Sequence, residues 1–152
     1  MKTFNLNSAE EILQHEETTY FLTSGASMYP LLRTHKDIVV INRTSQPLSV
    51  GEVALYKKSG ASKLVLHRVI GIASDGVYII RGDNTYCKEY VPQDDVLGVM
   101  TAIYRGGKYI DCAKSKMYKF YVWSVKIFYP FRWIWKIKIR PFLSRIKRKI
   151  LK

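Results

Sequence analysis

The sequence predicts a mainly β domain, opened by a short helix and closed by basic amphipathic helices. Three observations predict it. Short runs rich in β-branched and aromatic residues recur between turn signals from Tyr20 to Ile110. Ser8 followed three places later by Glu11 has the spacing of a capping box, in which each side chain satisfies an exposed backbone N–H at a helix start. From Ala113 onward the acidic residues stop and aromatic and basic residues alternate at helix-compatible spacing. The chain has 152 residues, enough for one domain with a real core, and 47% of them are hydrophobic, which excludes a disordered chain.

In order, the capping box starts a helix over about Ala9–Glu17. YFLTSG then reads as a strand running into a turn at Gly25, and DIVVINR (Asp37–Arg43) as a second strand. PLSVGEVALYKK turns at Gly51 and continues as a strand. KLVLHRVIGI is a longer strand, and Asp75-Gly76 marks a tight hairpin into VYIIRG, which ends at the GDN of Gly82–Asn84. VLGVMTAIYR, the Gly106-Gly107 hairpin and KYI give the last two strands. The chain thus divides into residues 1–18, 19–112 and 113–152.

The formal net charge of +13 belongs to the last of these segments. Residues 1–112 carry 12 Lys and Arg against 12 Asp and Glu, whereas residues 113–152 carry 13 Lys and Arg and no acid. All three tryptophans (Trp123, Trp133, Trp135) lie there too. SKMYKFYVWSVKIFY suits a helix, and FLSRIKRKILK places Phe142, Leu143, Ile146, Ile150 and Leu151 on one helical face. FRWIWKIKIR is ambiguous between helix and strand, because its alternation looks strand-like, and Pro130 and Pro141 are expected to break the segment into pieces. No apolar run reaches the roughly 18–20 residues that span a bilayer. The composition is that of an interfacial segment, laying aromatics into the headgroup boundary and offering Lys and Arg to anionic lipid. Specific nucleic-acid binding is not expected, because the aliphatic and aromatic content exceeds what stacking on bases requires. The N-terminus has no apolar stretch of the kind found in signal peptides or anchors. Cys87 and Cys112 have no metal-like spacing and read as free thiols. No metal or cofactor is expected.

Chemistry concentrates at SGASMYP, residues 24–30. A serine hydroxyl is a poor nucleophile until a base takes its proton. Gly25 and Ala26 keep the approach to Ser27 open, and Pro30 stiffens the turn behind it. Of three histidines, His15 falls in the first helix and His35 in a loop, while His67 interrupts an apolar strand.

The ordered set SGASMYP, LVLHRVIGI and IIRGDN resembles the type I signal peptidases, serine peptidases whose class also holds self-cleaving repressors. LLRTHKDIVVINR and LSVGEVALYKK resemble the family's linking strands. The resemblance covers roughly Thr23–Val99. It implies a signal-peptidase-like β domain over residues 19–112, with Ser27 attacking the scissile carbonyl and His67 as general base. Many members place a lysine at the position of His67; histidine there is similar to the endoplasmic-reticulum-like branch. The resemblance also implies that the Ser27 backbone N–H donates to the oxyanion. A second donor two places earlier falls on Gly25 and is missing. Asp83 is the expected third member, orienting His67, with Glu89 the alternative.

The substrate implied is an extended peptide of a signal, leader or membrane-proximal precursor, with small side chains before the cut. Leu22, Met28 and Leu31 are expected to line its pockets. Family members typically carry an N-terminal membrane anchor, which this sequence lacks, so the expectation is a membrane-associated enzyme at the cytoplasmic face, held to anionic lipid by residues 113–152. A self-cleaving repressor is disfavoured, because those proteins use lysine as base and carry a DNA-binding domain. The alternative of another class is a catalytically idle β domain that binds peptides or membranes.

Overall fold

A computed structural model describes Ile12, residues 15–58 and residues 63–134. Eight strands form one antiparallel sheet: β1 (Thr18–Leu22), β2 (Asp37–Asn42), β3 (Val53–Lys57), β4 (Leu64–Ile72), β5 (Tyr78–Arg81), β6 (Glu89–Val91), β7 (Val96–Arg105) and β8 (Lys108–Asp111). They lie in the order β1-β2-β7-β3-β4-β5-β6, with β8 also paired to β7. The mainly β expectation is met.

Each strand read between Tyr20 and Ile110 is present, whereas residues 131–134, the described part of the strand-like FRWIWKIKIR, are helical. The Asp75-Gly76 turn joins β4 to β5, with the Asp75 carboxylate accepting from the Val77 N–H at 3.2 Å. β6 is an addition: EYV is too short to alternate visibly, and it forms because Glu89 pairs with Ile80 and Val91 with Tyr78. The predicted first helix falls mostly outside the described residues; at its end the Glu16 N–H donates to the Ile12 carbonyl at 2.8 Å.

β7 joins the two halves of the sheet. Val96, Gly98 and Val99 pair with β3, and Val99–Arg105 pair with β2 on the other side. Both pairings shift register, so Leu97 is extra opposite β3 and Thr101 is extra opposite β2. At Gly98 an added Cβ would lie 2.7 Å from both the Asn42 carbonyl oxygen and Ile41 Cγ2, so only glycine lets β2 pass this close. β3, flanked by β7 and β4, is buried from Val53 through Tyr56. Ala54, Tyr56, Val69, Tyr78, Ile80, Val91 and Leu48 form a core cluster. The Tyr78 hydroxyl is satisfied by the Leu48 N–H at 2.7 Å.

A helix, α1 (Lys116–Ile134), belongs largely to a second compact unit, Met117–Lys152. It runs through Pro130, where a break was expected. Proline's fixed φ is itself helical, so the cost is confined to one lost backbone bond and local crowding. Met117, Phe120, Ile127, Phe128 and Phe131 are exposed and fall on one side of α1, with exposed Trp123 at its flank. Among the described residues no helix is long and apolar enough to cross a membrane. Pro141 and the FLSRIKRKILK stretch lie outside the described residues.

Candidate active site

Ser27 sits in the loop between β1 and β2. Asp37, fully buried at the start of β2, organises that loop. Its carboxylate accepts from Arg33 Nη2 at 2.8 Å, from the Arg33 backbone N–H at 2.9 Å and from Arg105 Nη2 at 2.7 Å. Burial pushes this carboxyl's pKa up, but the hydrogen bonds from Arg105 and Arg33 outweigh it and hold the group far below the usual carboxylate range. Arg105 also donates to the Leu31 carbonyl. The Thr23 hydroxyl lies 2.7 Å from the Arg33 carbonyl and 2.9 Å from the Asp37 carbonyl, closing the base of the loop. The Tyr29-Pro30 peptide bond within it is cis.

The GDN turn holds the other side of the serine. The Asn84 N–H donates to the Ser27 carbonyl at 2.7 Å, and Asn84 Nδ2 donates to the Ala26 carbonyl at 3.1 Å. Asp83 accepts from Arg68 Nε at 2.8 Å and Nη2 at 2.6 Å, a bidentate pair with both side chains 1% exposed. Arg68 Nη1 donates to the Gly51 carbonyl at 2.7 Å. Gly82 lies where any side chain would intrude: an added Cβ would be 2.7 Å from the Ser27 carbonyl oxygen and 3.0 Å from His67 Nε2. Both groups therefore border the space that the missing side chain leaves.

His67 is buried on β4, next to Arg68. Its Nδ1 lies 3.4 Å from Glu89 Oε1 and 3.2 Å from the Tyr56 hydroxyl. Glu89 Oε2 is paired with Lys58 Nζ at 2.9 Å. Burial pushes the imidazole pKa below its ordinary value; Glu89 opposes this and Lys58 adds to it. Burial raises the Glu89 carboxyl, but its bond and attraction to Lys58, then His67 and Tyr56, leave it lowered overall. Burial first, and then the Glu89 charge, push the Tyr56 hydroxyl well above the usual phenol range. His67 is thus disposed to be neutral near pH 7, with an ionised carboxylate at Nδ1 and Nε2 toward the Ser27 turn. Among the described residues no direct hydrogen bond joins the Ser27 hydroxyl to the imidazole.

The fold brings Ser27, His67 and Glu89 into one neighbourhood. It places Asp83 beside them but commits both its oxygens to Arg68. Ser27 also lines an open cleft of about 300 Å³, whose walls include Leu22 and Met28 from the serine side, Leu55 from β3 and Leu64, Val65 and Leu66 from β4. Leu31 is not among the lining residues; it is buried beneath the loop, 7% exposed. Tyr56 and Lys58 were not singled out from the sequence. Their only signal is their i, i+2 spacing, which puts both on one face of a strand. Among the described residues no group of three or more His, Cys, Asp or Glu side chains could hold a metal ion. Among the described residues Cys87 and Cys112 form no disulfide.

No protein-family model matches the chain, and no curated protein matches it.

Proposed function

We propose that the chain is a serine endopeptidase of the signal-peptidase type, with Ser27 as nucleophile and His67 as general base. The observation that carries this reading is the two-sided setting of His67: Glu89 stands 3.4 Å from Nδ1, and the Nε2 side opens on the Ser27 turn across Gly82. A carboxylate at Nδ1 favours the tautomer protonated there, which leaves the Nε2 lone pair free to take the serine proton. Ser27 Oγ then attacks the scissile carbonyl. His67 returns the proton to the leaving amine, and the Ser27 backbone N–H donates to the oxyanion. Glu89 is assigned the orienting role in preference to Asp83, because Asp83 already spends both oxygens on Arg68.

The substrate is an extended segment of a signal, leader or membrane-proximal peptide lying in the apolar cleft beside Ser27. An anionic membrane surface is the proposed platform, supported by the exposed apolar side of α1 and the acid-free basic composition of residues 113–152. The alternative is a catalytically idle peptide- or membrane-binding domain, which the lack of a direct Ser27–His67 bond favours. Apo catalytic hydrogen bonds are often loose, so this geometry alone does not displace the first reading.

The test compares protein N-termini by mass spectrometry in the native host carrying wild-type protein or Ser27→Ala. Termini that vanish with Ser27→Ala establish proteolysis and identify the substrate. None, with the protein well expressed, moves the assignment to the binding domain.

A further inference from the structure

The buried ring around Nδ1 of His67 contains more than an orienting carboxylate. Tyr56 lies wholly within the core, yet its hydroxyl faces Nδ1 at 3.2 Å, the same nitrogen that Glu89 Oε1 approaches at 3.4 Å. Lys58, on the same face of the chain two residues on, reaches the other Glu89 oxygen at 2.9 Å. Glu89 opens β6, whereas Tyr56 and Lys58 come from β3 and its end, with β4 and β5 between in the sheet. This polar chain therefore crosses the strand that carries His67.

We infer that Lys58 and Tyr56 are positioning residues for the imidazole. Lys58 fixes one oxygen of Glu89, so the other stays at Nδ1. The Tyr56 hydroxyl donates to Glu89 and turns its own oxygen toward the Nδ1 proton. The network selects one tautomer, because a bare Nδ1 facing an ionised carboxylate 3.4 Å away would set lone pair against negative charge. It also divides the carboxylate's charge between the ammonium and the imidazole, so Glu89 orients His67 without holding it permanently protonated. The functional meaning of this network rests on the serine-peptidase reading; its existence does not.

The charged and titratable groups facing His67 are Tyr56 and Lys58 from β3 and its end, Glu89 from β6, and Asp83, already bound to Arg68, from the turn after β5. Of these, Lys58 is the one that can be altered with least harm to the fold, since its side chain is 52% exposed.

The experiment is a titration of the histidine side chains in the full chain by nitrogen-resolved NMR, with His67 identified by the signal lost in His67→Gln. Neutral His67 is expected to carry its proton on Nδ1. Lys58→Met is expected to raise the His67 pKa by about half a pH unit or more, as Glu89 acts on the imidazole alone. Lys58→Arg, which keeps the charge, is expected to titrate like the wild type, and Tyr56→Phe to move in the same direction as Lys58→Met. A wild-type proton on Nε2, or a His67 titration unmoved in folded Lys58→Met, overturns the proposal. Should Lys58→Met fold poorly, Lys58→Gln serves in its place. Because the titration needs no substrate, the network and the peptidase activity fail separately. If activity is found, Lys58→Met is also expected to carry the acid limb of its pH profile upward with His67.

Discussion

The Asn84 N–H donates to the Ser27 carbonyl at 2.7 Å, so the turn that ends β5 holds the turn that carries the serine. The three letters GDN thereby acquire separate physical tasks. Asn84 tethers the serine loop, Asp83 locks the turn to β4 through Arg68, and Gly82 leaves the space into which both His67 and Ser27 face.

Gly82→Ala tests the last of these. Its Cβ would meet a backbone oxygen at 2.7 Å, so the serine loop has to move. We expect a stability loss of about 1–3 kcal/mol, typical of overpacking. We also expect Ser27-dependent cleavage to fall further than the melting temperature alone explains.

Asp83 and Glu89 are separable by what fails first. Asp83→Ala takes the carboxylate from the buried Arg68 guanidinium and is expected to cost about 3–5 kcal/mol, read as a lower denaturant midpoint. Glu89→Gln is expected to leave that midpoint nearly unchanged and to reduce cleavage on the order of 100-fold or more. Equal activity in Glu89→Gln and wild type would reduce the site to a Ser27–His67 dyad.

The pH dependence has two parts of the same sign. His67 has a lowered folded pKa, so the unfolded chain binds more protons as pH falls below about 6.5, and stability declines there. Asp37 also has a lowered folded pKa. Its contribution is complete above the ordinary carboxylate value near about 4 and is lost only as pH falls well below it. Activity is therefore expected to fall on an acid limb centred below about 6.5, while the fold survives to more acidic pH. Asp37→Asn is expected to destabilise the protein at neutral pH and to shrink the acid-dependent loss, measured by denaturation from pH 3 to 7, a range set by these reference values to within about a unit.

The exposed side of α1 predicts binding to lipid. Full-length protein is expected to pellet with vesicles containing anionic lipid, and less with neutral ones. Added salt weakens the electrostatic part. Phe120→Glu with Trp123→Glu, two adjacent rings 5.6 Å apart, is expected to abolish pelleting without changing the melting temperature. Undiminished pelleting would remove α1 from the interface.

Most of the sheet was legible in the sequence because its strands are long runs of β-branched residues bounded by turns. β6 was not, since three residues carry no periodicity and their pairing partner decides them. The same limit applied at the site. Ser27 and His67 are marked by their local strings, but the choice between Asp83 and Glu89 depends on where the Arg68 side chain goes. No local pattern encodes that. Tyr56 and Lys58 read as ordinary strand residues until β6 brings Glu89 across to them. Leu31 looked like a pocket residue from its nearness to Ser27, yet the loop turns it inward.

The two halves of the candidate site belong to different parts of the sheet: Ser27 lies between β1 and β2, His67 rides on β4, and β7 pairs with β2 on one side and with β3, the neighbour of β4, on the other. Within the sheet, the spacing between Ser27 and His67 is thus gauged by a strand that contributes neither. Its extra residues, Leu97 and Thr101, act as the adjustment of that gauge, and Gly98 between them is its tightest point. Single-residue insertions in the β1–β2 loop shift one group locally, but an insertion or deletion in β7 re-indexes one half of the sheet against the other. Mutational tolerance should therefore be lowest in a segment remote from the chemistry, where a survey of activity alone would mistake a ruler for a catalyst.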